Sequence, residues 1–220
     1  MPRRKPLPPD VDAITTAIAR FINSRDDSGR IVGNAKYGVY AFYDYDGEPI
    51  YVGQTSERLR VRIRRHLTNQ RTDAVAMNVL DPFEVAEIEM WPLYPESGQD
   101  IQALLNAAEY TVYELVIQRS TLKAILNEKD IPSVPTIELP PSYRTRIVPD
   151  DVYDRLQHPD IRIARRATTI ANLARVISER TPSKGLRRTL LTQARRLEKL
   201  ARERLDEFTE PYPVTEPDDE

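Results

Sequence analysis

A chain of 220 residues is long enough for one good core with a smaller second unit, and its net charge of −2 excludes a uniformly basic nucleic-acid binder. The absence of cysteine excludes a disulfide framework and thiolate metal ligation. No apolar run approaches bilayer-spanning length and no apolar h-region follows Met1-Pro2-Arg3-Arg4-Lys5, so the expectation is a soluble cytoplasmic protein.

Residues 1–10 are Pro-rich and basic and are expected to be poorly ordered. Val11 to Ile22 has a helical pattern, with Asp10 as its cap and Ile14, Ile18, Phe21 and Ile22 as its packing face. Ser24 to Gly33 reads as a polar loop. Two apolar and aromatic runs follow, Tyr37 to Tyr45 and Ile50 to Val52, separated by Asp46-Gly47. That dipeptide supplies the positive φ angles of a tight hairpin turn. Thr55 or Ser56 can then cap a helix whose Leu59, Ile63 and Leu67 recur every four residues on one stripe.

Asn69 to Asp81 has no decisive pattern. Phe83 to Leu93 reads as a third strand, with Phe83, Val85, Glu87, Glu89 and Trp91 on one face and Glu84, Ala86, Ile88 and Met90 on the other. Asp100 to Arg119 is a helix with a stripe of Ile101, Leu105, Ala108, Val112 and Leu115. Ala124 to Asn127 closes this unit as a short extended piece. Five prolines between Ile131 and Pro149 point to a linker or meandering loop. Asp150 to Phe208 is helical in character, broken at Thr181-Pro182 and Gly185, and the tail from Glu210 is acidic and expected to be disordered. The expected fold class is α+β: about three antiparallel strands flanked by helices, then a helical C-terminal region. The expected units are 1–35, 36–130, 131–149, 150–208 and 209–220.

The chemistry gathers between Tyr37 and Leu67. Arg62 and His66 are four residues apart, so they lie side by side next to the buried stripe. Tyrosines are ordinary strand residues, but Tyr40 and Tyr51 both flank a glycine and precede an arginine and a histidine on the next element. A phenol loses its proton near pH 10, so either tyrosine needs a nearby cation or metal to act as a base at neutral pH. A half-buried Arg62 could grip the non-bridging oxygens of a phosphodiester. Arg58, Arg60, Arg64 and Arg65 fan over the rest of this helix, either as solvated charges or as phosphate contacts. His158, in a Gln-His-Pro segment, has no such neighbours.

Gly38-Val39-Tyr40 and Tyr51-Val52-Gly53, followed by Leu59-x-x-Arg62-x-x-x-His66, resemble the signature of the GIY-YIG nuclease family over roughly Lys36 to Lys129. The resemblance implies a catalytic arginine at Arg62, a phosphate contact or proton-transfer role for His66, and a tyrosine that assists the attacking water. It also implies one glutamate, on a helix after the third strand, holding Mg²⁺ or Mn²⁺. Glu109 borders the apolar stripe and should point inward, whereas Glu114 should face solvent but lies at the more usual distance from Asn127. The helical face favours Glu109. Asn127 matches the asparagine that ends the family motif.

Residues 143–204 carry about 16 Lys and Arg against about 7 acids, and about 7 acids with no base follow. Arg165-Arg166, Arg187-Arg188 and Arg195-Arg196 could form a phosphate-contacting arm, or a charged helix pair packed on the catalytic unit or on a second copy. The resulting expectation is a metal-dependent endonuclease acting on double-stranded DNA, most like a type II restriction enzyme of this family. A homodimer or two successive events would then cut both strands. A repair or structure-specific nickase, or a DNA-binding module with a degenerate site, is the alternative.

Overall fold

The computed structural model describes residues 7–68, 79–179 and 183–208. Most of Asn69–Asp81, the break at Thr181-Pro182 and the acidic tail from Glu210 lie outside them. Pro9 opens the first helix, α1 (Pro9–Phe21), where its missing N–H leaves no bond unmade and its fixed φ suits the first turn. Asp10, expected as the cap, instead lies within that turn, where its charge meets the positive end of the helix dipole. The expected face is the one used: Ile18, Phe21 and Ile22 are buried and Ile14 packs beside them.

The hairpin consists of β1 (Tyr37–Tyr43) and β2 (Pro49–Thr55). In its turn only Gly47 takes a positive φ, of 69°, so Asp46 does not share that role as expected. Asp44 organises the turn instead. Its Oδ1 accepts from the backbone N–H groups of Asp46 and Glu48, each at 3.0 Å.

Helix α2 (Leu59–Leu67) starts without a side-chain cap, contrary to the expectation for Thr55 or Ser56. The Thr55 hydroxyl closes a local turn with Glu57, and the Leu59 N–H finds the Ala35 carbonyl at 3.0 Å. A tertiary acceptor has replaced the local one.

The third strand, β3 (Glu87–Leu93), is shorter than expected, because Pro82–Glu84 form a 3-10 turn capped by Asp81. It pairs antiparallel with β1, placing Val39 opposite Trp91 and Ala41 opposite Glu89. A fourth strand, β4 (Tyr143–Arg146), pairs antiparallel with β3 from inside the stretch expected to be linker. Pro140, Pro141 and Pro149 flank it without interrupting it, which an edge strand tolerates. The sheet order is β2-β1-β3-β4.

Helices cover both faces, so central β1 is buried on both and reads as a nearly continuous apolar run. One face packs Tyr40, Phe42, Ile88 and Met90 against Leu59 and Ile63 of α2 and against α1. The other packs Val39, Ala41, Val52 and Trp91 against Leu105, Ala108, Val112 and Val116 of α3 (Ile101–Arg119). Asp100 caps α3 by accepting from the Gln102 and Ala103 N–H groups, and the stripe ends on Val116 while Leu115 is only half-buried.

The C-terminal region forms α4 (Asp150–Leu156), α5 (Pro159–Glu179) and α6 (Lys184–Asp206). No helix among the described residues is long and apolar enough to cross a membrane. Gly185, expected as a break, lies in the first turn of α6, where a Cβ would overlap the Glu128 carbonyl. The paired arginines divide between interior and surface. Arg166 and Arg196 are buried while Arg165 pairs with Asp81 at 2.9 Å and Arg195 is exposed.

Arg166 reaches Asp44 at 3.0 Å and Glu84 at 2.8 Å, and Arg196 also binds Asp44. A third buried arginine, Arg162, meets Asp46 at 2.6 Å. Burial pushes Glu84 up and Arg196 down, so desolvation opposes the charged forms that the pairing retains. For these three arginines the packed helix pair, not the phosphate arm, is the arrangement found.

Candidate active site

Two glycines make room for the site. A Cβ at Gly38 would lie 2.8 Å from the Trp91 carbonyl and 2.9 Å from Leu59 Cδ1, so a bare backbone there lets α2 lie close on β1. Gly53 sits opposite Tyr40 in the hairpin register. A Cβ at Gly53 would meet both the Tyr40 hydroxyl and Tyr51 Cε1 at 2.7 Å, so the missing side chain is the space the two phenols occupy. Their rings stack with centroids 5.9 Å apart.

Helix α2 brings the cations to the same place. Arg62 Nε donates to the Tyr40 hydroxyl at 3.3 Å, and that hydroxyl shares a second hydrogen bond with His66 Nε2, also at 3.3 Å. The His66 ring lies 5.3 Å from the Tyr51 ring, and Phe42 stacks on Tyr51 at 5.8 Å. Four of the expected residues, Tyr40, Tyr51, Arg62 and His66, therefore form one cluster. Tyr40 is wholly buried, while Tyr51 keeps part of its surface open. Burial, aided by the neighbouring Tyr51, holds the Tyr40 phenol well above its ordinary range although Arg62 pulls the other way. Tyr40 is thus a neutral hydrogen-bonding group. For Arg62, burial disfavours the charge, but the Tyr40 and Tyr51 phenols and Glu57 outweigh it and raise its pKa.

Glu109 points inward from α3, as its helical face requires. One carboxylate oxygen accepts from the Gln54 backbone N–H at 3.1 Å and the other from Gln54 Nε2 at 2.9 Å. Burial raises its pKa, while the Gln54 bonds and the Arg62 charge oppose that rise. Glu114, expected to face solvent, is half-buried beside Tyr113. Gln54 was not foreseen, although its place two residues after Val52 puts it on the face of β2 turned toward α3.

Asn127 serves the edge of β2. Its Oδ1 accepts from the Val52 N–H at 3.2 Å and its Nδ2 donates to the Val52 carbonyl at 2.6 Å. The Leu126 N–H donates to the Ile50 carbonyl at 2.7 Å, so residues 124–127 run beside β2 without forming a strand. A side-chain amide completes the strand edge next to Tyr51. Of the surface arginines, Arg58 and Arg64 are exposed, Arg60 is tied to Asn23, and Arg65 pairs with Glu57 at 2.5 Å.

Among the described residues no group of three or more His, Asp or Glu is placed to hold a metal ion. Mg²⁺ commonly takes only one or two carboxylates and fills its shell with water. A half-buried carboxylate such as Glu109, a hard-oxygen ligand whose negative charge its partial burial disfavours, fits that demand.

Comparison with curated proteins and with solved structures found no match. Residues 36–99, which hold the hairpin, α2 and β3 but neither Glu109 nor Asn127, match the family model of the GIY-YIG catalytic domain, and the chain therefore carries a nuclease domain of the GIY-YIG type.

Proposed function

We propose that the protein is a metal-dependent endonuclease that hydrolyses DNA phosphodiester bonds in one step, acting as a type II restriction enzyme. The observation that carries this reading is the meeting of Tyr40, Tyr51, Arg62 and His66 in one cluster within the matched segment. Tyr51, the more exposed phenol, takes the proton from the attacking water. Buried Tyr40 stays protonated and, with His66, fixes the orientation of the Arg62 guanidinium. Arg62 binds the non-bridging oxygens and stabilises the charge that grows as the new P–O bond forms and the opposite one breaks. Glu109 would hold Mg²⁺ or Mn²⁺, which supplies Lewis-acid activation of water and charge neutralisation. The small nuclease unit, flanked by added helical segments, is the feature that supports the restriction role. One site cuts one strand, so duplex cleavage needs a homodimer or two successive events.

The test is plasmid cleavage by wild type, Arg62→Lys and Glu109→Gln with Mg²⁺ and with EDTA, followed by mapping of the fragment ends. Wild type should cut with Mg²⁺ at one fixed sequence and not with EDTA. Arg62→Lys should lower the single-turnover rate by about 10²–10³-fold with little change in binding. Cleavage that survives EDTA or Glu109→Gln overturns the metal role. Cuts at scattered, damaged or branched positions overturn the restriction role in favour of a nickase.

A further inference from the structure

Beyond Asn127, the edge of β2 opens into a groove of about 400 Å³. Its walls come from three distant segments: Tyr113 on α3, the loop from Lys123 to Ile131, and Arg188 to Arg195 on α6. Four lining side chains are cations, Lys123, Lys129, Arg188 and Arg195, against the single carboxylate of Asp130. Two of the four are already committed. Lys123 donates to the Ile117 and Gln118 carbonyls at the end of α3, and Arg188 binds Asp130 and the Asn127 and Glu128 carbonyls. Lys129 and Arg195 are exposed and have no hydrogen bond or ion pair among the described residues.

Exposed cations on a convex helix are ordinarily just solvated. These two face a concave space whose walls are fixed. Gly185 lets the α6 backbone come against the Glu128 carbonyl, and Arg188 ties the same helix to the loop. Concavity concentrates the potential of like charges. The near end of the groove is Asn127, whose amide grips Val52, the residue after Tyr51. Asn127 thus links the groove to the strand that carries Tyr51.

We infer that this groove holds the sugar–phosphate backbone of duplex DNA flanking the cleaved bond, with Lys129 and Arg195 as its phosphate contacts. That this backbone flanks the cleaved bond rests on the nuclease function proposed for the site, whereas the binding of a duplex backbone does not. The contacts carry no base information, so they strengthen binding to every sequence alike.

The test compares wild type with Lys129→Ala/Arg195→Ala on a labelled duplex of mixed sequence, about 30 base pairs long, without divalent metal and over a series of salt concentrations. Two lost phosphate contacts should flatten the slope of log K against log salt by about 1.8 and weaken binding roughly tenfold or more near 0.1 M salt. In plasmid cleavage with Mg²⁺ the variant should need roughly tenfold more enzyme to reach half its maximal rate, in step with its weaker binding. An unchanged affinity and slope in the variant, with wild type still cleaving, overturns the groove and leaves the nuclease reading standing. A wild type that binds the duplex but never cleaves, with the variant losing the two salt-dependent contacts, supports the groove and overturns the nuclease reading. A wild type with no affinity for duplex overturns the groove as well. A circular-dichroism melt of the variant that matches wild type keeps misfolding from imitating the expected result.

Discussion

Replacing Asp44 with asparagine isolates the electrostatic contribution of one buried carboxylate. The side chain has nearly the same shape, and its remaining oxygen can still accept from the Asp46 and Glu48 N–H groups that form the hairpin turn. On the other side the new amide would face Arg166, Arg196 and Arg162, all of which now reach Asp44 Oδ2. Asp44 is 2% exposed and the three arginines 2 to 4%, so solvent screening does little here. Leaving buried cations without their carboxylate costs about 3–5 kcal/mol, against a total stability of about 5–15 kcal/mol for a domain. With a urea dependence of about 1–3 kcal/mol per molar, the unfolding midpoint of Asp44→Asn should fall by at least about 1 M. The exposed Arg175–Glu179 pair provides the contrast, since its loss should cost under about 1 kcal/mol. Urea titration followed by circular dichroism measures both. A midpoint for Asp44→Asn within about 0.3 M of wild type would refute the claim that this carboxylate neutralises the helix pair.

Two further predictions follow from particular atoms. Gly53→Ala ordinarily favours a strand, since glycine there is about 0.5–1 kcal/mol worse than alanine. Here the added Cβ should instead destabilise by about 1–3 kcal/mol and lower plasmid cleavage, because it collides with both phenols. A more stable, fully active Gly53→Ala would contradict the packing described for Tyr40. Glu48 provides a pH test. Burial works against its charge, but hydrogen bonds from Ser120, Thr121 and Leu122 outweigh it and lower its pKa. A lowered folded-state pKa contributes stability above the unfolded value, near 4.3, that is lost as pH falls through the folded value. Glu48→Gln should therefore be less stable than wild type at pH 7, with the difference closing below about pH 4. A constant gap in urea midpoint across that range would show that the carboxylate is not the cause.

The sequence was most informative where a pattern is local. The hairpin, α2, α3 and the strand through Trp91 follow from period and turn chemistry, and the inward direction of Glu109 follows from its place on the α3 stripe. The tyrosine, arginine and histidine cluster was legible through its spacing and its glycines. The fate of the paired arginines was not. Arg166 and Arg196 look like their exposed neighbours Arg165 and Arg195, because what separates them is the position of Asp44 more than a hundred residues earlier. Asp44 itself falls inside the run from Tyr37 to Tyr45; its turn bonds are local, but its arginine partners lie in no short window. Strand β4 was hidden for a related reason. Four residues among prolines carry too little periodicity, and only the open edge of β3 gives them a partner.

The grip of α6 on β2 also orders events during synthesis. Arg196 reaches the Pro49 carbonyl at the start of that strand, and Arg188 holds the loop whose asparagine completes the strand edge. A nascent chain with α6 still inside the ribosomal tunnel has made its tyrosines, Arg62, His66 and Glu109, but not the struts that set them. Its hairpin turn also lacks the Arg196 contact to Asp44. Competence therefore requires α6 to have left the tunnel and docked.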